Sequence, residues 1–244
     1  MKTIPGGLRG SFPVPTTDPV SGATISILVE SADGTTQIIL DAGTGTRNLL
    51  PRLRPGALLA LTHFHLDHLL GIPLLSSRDL SAILSVRPDA ATILSRIYSP
   101  PVWPVPATDA PFLPASPGLP HAYGSLTITY HPGAHPAGCH AIRIDEPSTG
   151  ESLVLATDIE WSLMSPDARA AFAAFAHDAT DLWFDCHFLP SELPAHRGWG
   201  HSSWKEAIAA ARLSCALHVH PLHFSPSCTP ARAASIIRHL RTSR

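Results

Sequence analysis

The chain has 244 residues, of which 44% are apolar, enough to bury a substantial core in one domain or two closely packed halves. A formal net charge of −2 argues against a nucleic acid or a membrane surface bound through bulk charge. No apolar run is long enough to span a bilayer and the N-terminus lacks a signal-peptide core, so we expect a cytoplasmic protein.

The first half of the chain is predicted to form strands that end in polar residues. An Asp33-Gly34 turn between two β-rich runs indicates a hairpin. A third strand leads into the sequence LTHFHLDHLLG, and two helices follow. The predicted bounds are 25–30, 37–41 and 58–62 for the strands, and 67–75 and 89–99 for the helices.

Residues 100–120 hold eight prolines, so we expect no regular structure there. Such a segment could be a linker between domains. However, Trp103, Phe112 and Leu113 are apolar anchors that a free linker would not need. We therefore expect an ordered loop that packs on the body and forms one wall of a site.

The second half repeats the alternation of strands and helices. Strands are predicted over 126–130, 140–144, 152–157, 181–185 and 216–220, and helices over 166–177, 202–213 and 229–240. Two strand-rich halves with helices on their outer faces predict an α/β (α+β) fold, a four-layer αββα sandwich, as a single domain over residues 1–244.

The densest group of polar side chains follows the third strand: His63, His65, Asp67 and His68. Side chains two apart on a strand share a face, and a turn after His65 would direct the next two toward the same point. Solvated loop histidines are the alternative, but leaving four such groups unpaired beside a core would cost several kcal/mol. Imidazole and carboxylate ligands suit zinc, and also manganese or iron. The four cysteines form no CxxC pair, so we expect reduced thiols that are not preferred ligands.

The sequence THFHLDH resembles the signature of the metallo-β-lactamase superfamily, whose fold is the αββα sandwich. The resemblance covers nearly the whole chain. Two segments, IILDAGTG at 38–45 and VLATDIE at 154–160, resemble the strand before the signature and the strand that delivers a bridging aspartate. Two more, PAHRGWGHSSW at 194–204 and LHFSP at 222–226, resemble the phosphodiesterase branch, which includes the tRNA 3′-processing ribonuclease and cyclic-phosphate phosphodiesterases.

The resemblance implies two divalent metal ions, with zinc expected first. The implied ligands are His63 and His65 at the first ion, Asp67, His68 and His223 at the second, and Asp158 as the bridge. The first ion needs one more histidine, and the sequence offers His131 and His135. The family spacing of eight residues to the arginine, here Arg143, favours His135.

Catalytic roles are expected for Asp67, Asp158 and His201. Two ions about 3.5–4 Å apart can activate a shared hydroxide, which Asp158 would orient and whose proton Asp67 would share. His201 would donate to the phosphoryl oxygen or the leaving group, with a helix-capping role as the alternative. Asp41 and Asp185 would orient ligand histidines, whereas His218 and His220 alternate along a strand and are expected to support the site or face solvent.

The sequence thus predicts a dinuclear phosphodiesterase for a small or cyclic phosphodiester. Alternatives are a thioester, lactone or β-lactam hydrolase on the same fold, and a non-catalytic metal-stabilised binding or sensor protein. No site for an organic cofactor is predicted. No basic arm suggests a nucleic-acid partner, and a homodimer is compatible with the sequence.

Overall fold

The computed structural model describes residues 1–242, and its centre is a pair of six-stranded sheets. The first sheet has the order β1-β2-β3-β4-β5-β6 and the second β12-β11-β10-β9-β8-β7. The strands of the first sheet are β1 (Lys2–Gly7), β2 (Ser26–Glu30), β3 (Gln37–Leu40), β4 (Ala57–Ala60), β5 (Leu80–Ser85) and β6 (Phe112–Pro114). Those of the second are β7 (His121–Tyr123), β8 (Leu126–Gly133), β9 (Cys139–Glu146), β10 (Glu151–Ala156), β11 (Asp181–Asp185) and β12 (His218–Leu222).

Each sheet is antiparallel on one side and parallel on the other. In the first sheet β1, β2 and β3 pair antiparallel, and β3 to β6 pair parallel. In the second, β7 to β10 pair antiparallel, and β10 to β12 pair parallel. The carboxyl ends of parallel strands lie at one edge of a sheet, where ligands bind in open α/β sheets.

Helices cover the outer face of each sheet, giving the four-layer αββα sandwich that the sequence predicts. They are α1 (Pro19–Gly22), α2 (Thr46–Leu49), α3 (Ala90–Ile97), α4 (Pro166–Phe175), α5 (Trp204–Ser214) and α6 (Pro230–Thr242). One apolar core lies between the two sheets, and one further core lies between each sheet and the helices on its outer face. Strands such as β3 and β4 are therefore buried along their whole length, which explains their unbroken apolar sequences.

The observed structure differs from the prediction in the signature segment and at the sheet edges. Residues 67–75 form two 3₁₀ turns, Leu66–His68 and Ile72–Leu74, in place of one short helix. Proline in the second turn prevents a continuous helix. The strands β1, β5, β6 and β7 were not predicted. Two of these, β1 and β6, are edge strands that contain proline, which an edge tolerates because only one side of the strand is paired.

The proline-rich segment 100–120 packs on the body of the protein. The Trp103 ring lies 5.5 Å from the Tyr98 ring, edge to face, and joins the core under the first sheet. Phe112 and Leu113 belong to β6, so the expectation of no regular structure is wrong for that part. Among residues 1–242, no helix is both long and apolar enough to cross a membrane.

Candidate metal centre

Histidines and carboxylates from both sheets meet where the central strands end. His63 and His65 follow β4, and Asp67 and His68 occupy the 3₁₀ turn after them. The other contributors follow β8, β10 and β12: His135, Asp158 and His223. The topology thus brings together side chains up to 160 positions apart in the sequence, at the edge where the parallel strands end.

A first set of donor atoms consists of three histidine nitrogens and one carboxylate oxygen. In this set, made up of His63, His65, His135 and Asp158, the ligand atoms lie within 4.8 Å of one another. His135 Nε2 lies 3.1 Å from His65 Nδ1 and 3.7 Å from Asp158 Oδ1. His63 Nε2 lies 3.9 Å from the same carboxylate oxygen.

A second set of donor atoms lies on the other side of Asp158. His68 Nε2 and His223 Nε2 each lie 3.2 Å from Asp158 Oδ2. Asp67 Oδ2 lies 3.4 Å from His68 Nε2 and 3.2 Å from His223 Nε2. The two oxygens of Asp158 therefore face different sets, as a carboxylate that bridges two cations would.

The donor chemistry and spacing fit divalent metal ions. Tetrahedral zinc bonds of about 2.0–2.1 Å place neighbouring ligand atoms about 3.3 Å apart, close to the shorter distances in both sets. His63 Nε2 and His68 Nε2 are buried without a hydrogen-bond partner. A lone pair buried in this way costs free energy unless something binds it, and a cation surrounded by nitrogen and carboxylate ligands would do so.

The other ring nitrogens fix which nitrogen of each histidine can bind a metal. His68 Nδ1 donates to Asp41 Oδ2 at 2.8 Å, and Thr62 Oγ1 donates to the same oxygen at 2.8 Å. Thr62 Oγ1 can then accept from His63 Nδ1 at 3.0 Å. His135 Nδ1 donates to the Gly200 carbonyl at 3.0 Å. With Nδ1 engaged as a donor, each of the three rings has its Nε2 left to face the site, and the tautomer with the proton on Nδ1 is the one that a metal ligand through Nε2 needs.

Burial and charge shift the pKa values of these groups in opposite directions. Burial and the neighbouring His68 hold the pKa of His63 well below its usual value. Burial would also lower the pKa of His68, but the carboxylates of Asp67, Asp158 and Asp41 outweigh it and raise the pKa. The pKa of Asp158 is lowered despite its burial, because histidines surround it. The negative potential around His68 is the environment that a bound cation would neutralise.

Three residues of the cluster hold their backbone in the left-handed region. The φ angles are 55° at Asp41, 54° at Asp158 and 59° at His223, each just beyond a strand end. Non-glycine residues held this way cost about 1–3 kcal/mol each and persist where the surroundings demand them. Here the conformation accompanies a sharp change of chain direction that leaves each side chain in the cluster.

The N-terminal segment also contacts the cluster, which the sequence analysis missed. The backbone amide of Ser11 donates to Asp67 Oδ2 at 2.7 Å. A Cβ on Gly10 would lie 2.3 Å from the His223 ring, so only glycine fits there. The one available signal was the LRGS sequence itself. Its contacts join Ser11 to Asp67 across 56 positions and Gly10 to His223 across 213 positions, so they depend on the tertiary fold.

His201 lies beside the cluster and is held by Asp185. His201 Nδ1 donates to Asp185 Oδ2 at 2.9 Å, and the same oxygen accepts the Asp158 amide at 3.1 Å. Burial opposes the positive charge on His201, but Asp185 raises its pKa to about 9. The Asp185 carboxylate therefore favours the protonated imidazole. Asp185, expected to orient a ligand histidine, hydrogen-bonds His201 and the Asp158 backbone and lies 3.8 Å from His223 Nδ1.

His187, a residue that the sequence analysis did not single out, lies behind these groups. Its ring stacks on His201 at 4.3 Å, and its Nδ1 donates to the His223 carbonyl at 2.9 Å. Burial lowers the pKa of His187 to about 3, with the neighbouring His223 and His201 adding to the effect. A neutral ring in this position holds His201 in place without adding charge.

Three other histidines lie outside the cluster. His131 stacks on Phe175 at 4.9 Å. His220 pairs with Asp181 at 2.6 Å and stacks on Trp183. Neither belongs to a donor set with the cluster residues, and the same holds for His218 among residues 1–242.

Comparison with known proteins gives a family match and several similar folds. A family model described as "Beta-lactamase superfamily domain" matches residues 36–224. No curated protein shows significant sequence similarity to the chain.

Among solved structures, the metallo-beta-lactamase fold protein YhfI from Bacillus subtilis has a TM-score of 0.71 at 19% identity, covering 98% of this chain and 91% of YhfI. Human tRNase Z, short form, has a TM-score of 0.70 at 17% identity, covering 92% and 93% of the two chains. A diphosphatase from the PhnP family has a TM-score of 0.68 at 14% identity, covering 91% and 85%. These likenesses show the fold.

Proposed function

The chain belongs to the beta-lactamase superfamily, and from that membership we propose that it is a dinuclear metal-dependent phosphodiesterase for a small or cyclic phosphodiester. The observation that carries the proposal is the Asp158 carboxylate, whose two oxygens face two separate donor sets. Two of the similar folds belong to proteins named for action on phosphate esters or anhydrides, a tRNase and a diphosphatase.

In this proposal every ligand comes from one of the two donor sets. His63, His65 and His135 would hold the first ion, Asp67, His68 and His223 would hold the second, and Asp158 would serve both. Zinc is the expected metal because imidazole and carboxylate donors dominate, and manganese or iron suits the same atoms. Bound there, two such ions supply the Lewis acidity that neutralises phosphoryl oxygens and makes hydroxide available near neutral pH.

The protein's own groups position the reactants and move the protons. Asp67, whose Oδ2 is held by the Ser11 amide, accepts a hydrogen bond from the attacking hydroxide and so shares its proton. Asp158 orients the same hydroxide. His201, cationic because of Asp185, stabilises charge on the phosphoryl oxygen or protonates the leaving group through Nε2.

Two features support a small diester over the alternatives. The cationic His201 beside the cluster complements the anionic phosphoryl group, whereas a neutral lactone or thioester carries no matching charge. The chain has 17 Lys and Arg residues against 19 Asp and Glu, so its overall charge gives little attraction for a polynucleotide backbone.

The proposal is tested by a hydrolysis panel on protein reconstituted with zinc, manganese or ferrous iron. The panel contains bis(p-nitrophenyl) phosphate, cyclic nucleotides, a cyclic ribose phosphate, a lactone and a thioester. Metal-dependent turnover of one or more diesters is expected. Faster turnover of the lactone or thioester would favour the other hydrolase reading, and binding of metal without any turnover would favour the sensor reading.

A further inference from the structure

Large apolar side chains next to the candidate metal centre remain exposed to solvent. Trp199 is 60% exposed, Phe12 71% and Leu66 55%. Each adjoins a residue of the cluster or of its contacts: Phe12 follows Ser11, Leu66 lies between His65 and Asp67, and Trp199 precedes Gly200. Single exposed apolar residues are common, so each needs a further contact with the site before it counts as part of a binding surface.

The backbone around Trp199 is held rigidly although its side chain is exposed. The buried Glu160 carboxylate accepts the Gly198 amide at 2.9 Å and the Gly200 amide at 2.8 Å, on either side of Trp199. The Trp199 amide itself donates to the His196 carbonyl at 3.1 Å. Rigid presentation of an exposed aromatic ring lowers the entropy cost of binding a ligand against it.

The same loop connects Trp199 to the reactive groups. The Gly200 carbonyl accepts from His135 Nδ1, and a Cβ on Gly200 would lie 2.0 Å from that ring. The Phe188 ring lies 6.3 Å from the Trp199 ring and 5.9 Å from the His201 ring. The Trp199 indole and the His201 ring therefore both lie against Phe188, and the loop places Trp199 two positions from His201.

We propose that Trp199 forms a subsite that stacks an aromatic substituent of the substrate, a nucleobase or an aryl ring. The inference rests on the proposed function, because the phosphate is taken to bind at the metal centre. An aromatic ring is the favoured occupant because an exposed indole stacks on flat π surfaces and gains less from a small alkyl group.

The test compares phenyl phosphate with methyl phosphate, which carry the same charged group. Binding to the zinc-reconstituted protein is measured by calorimetry. Wild type should bind phenyl phosphate more tightly, by about 10-fold or more. Trp199→Ala should weaken phenyl phosphate roughly 5- to 100-fold, the range for a lost stacking contact, and leave methyl phosphate nearly unchanged.

Two further variants make the result decisive. Trp199→Phe keeps a ring and should retain most of the preference. Leu213→Ala removes another exposed apolar side chain, 51% exposed on the outer helix α5, and should change neither ligand. Equal affinity for both phosphates in wild type, or a preference that survives in Trp199→Ala, would overturn the subsite. A phenyl preference that depends on Trp199 without turnover of any diester would support the subsite while refuting the phosphodiesterase, so the two failures are distinct.

Discussion

Replacing Asp158 by alanine should weaken both metal sites at once. Its Oδ1 is the only carboxylate oxygen in the first donor set, and its Oδ2 is one of two in the second. Loss of a partner that only orients a ligand costs about 10–100-fold in metal affinity, so loss of a direct ligand should cost at least that at each site. This amounts to about 1.4–2.7 kcal/mol per ion, or about 10²–10⁴-fold for the pair.

The assay is metal stoichiometry by elemental analysis, after dialysis against a series of buffered zinc concentrations. Wild type should carry two ions per chain at concentrations where Asp158→Ala carries neither. His68→Ala removes a donor atom of the second set alone and should keep one ion. If Asp158→Ala retained one ion with wild-type affinity, the carboxylate would not bridge, and the dinuclear arrangement would be wrong.

Three other predictions concern the neighbouring residues. His135→Ala should lower metal content and activity, whereas His131→Ala, outside the donor sets, should leave both nearly unchanged; reversed effects in elemental analysis and diester turnover would exclude His135 as the ligand. His201→Ala should keep its metal but lower kcat for a diester about 10²–10⁴-fold, with a smaller loss when the leaving group is p-nitrophenolate, and loss of metal would instead identify His201 as a ligand. Asp185→Asn removes the charge that raises the pKa of His201, so His201 should lose its proton at lower pH. The alkaline limb of the plot of kcat against pH should then move to lower pH. A limb that does not move would show that His201 does not act as an acid.

We expect single substitutions around the site to disturb the positions of its histidines. The candidate ligand histidines are oriented by hydrogen bonds from Nδ1 to distant segments of the chain. His68 donates to Asp41, and His135 donates to the Gly200 carbonyl. Strained backbone at Asp41, Asp158 and His223 adds a cost that folding must offset in the metal-free protein. Bound metal would restore this stability by mass action, because only the folded chain assembles the donor sets.

Local sequence patterns were enough to predict the layers of the fold and to propose which residues could donate to a metal. Buried strands and amphipathic helices follow from local apolar patterns, and the strand Asp181–Asp185 was predicted to the residue. The three histidines and the aspartate of the signature stand within six positions, so one segment of the chain carries all four to the same region. Edge strands such as β1 and β6 were not predicted because they contain proline and have a weak apolar pattern. A strand tolerates both features where only one of its sides is paired.

Which distant side chains lie together at the site depends on the tertiary structure. His131 and His135 differ by four positions in sequence, yet one stacks on Phe175 and the other faces His65. The contacts of Ser11 with Asp67 and of Glu160 with the loop around Trp199 join residues 56 and about 40 positions apart. The physical reason is that such contacts depend on the register and order of the strands in both sheets. Register and order are set by pairing between distant segments, which no local sequence pattern encodes.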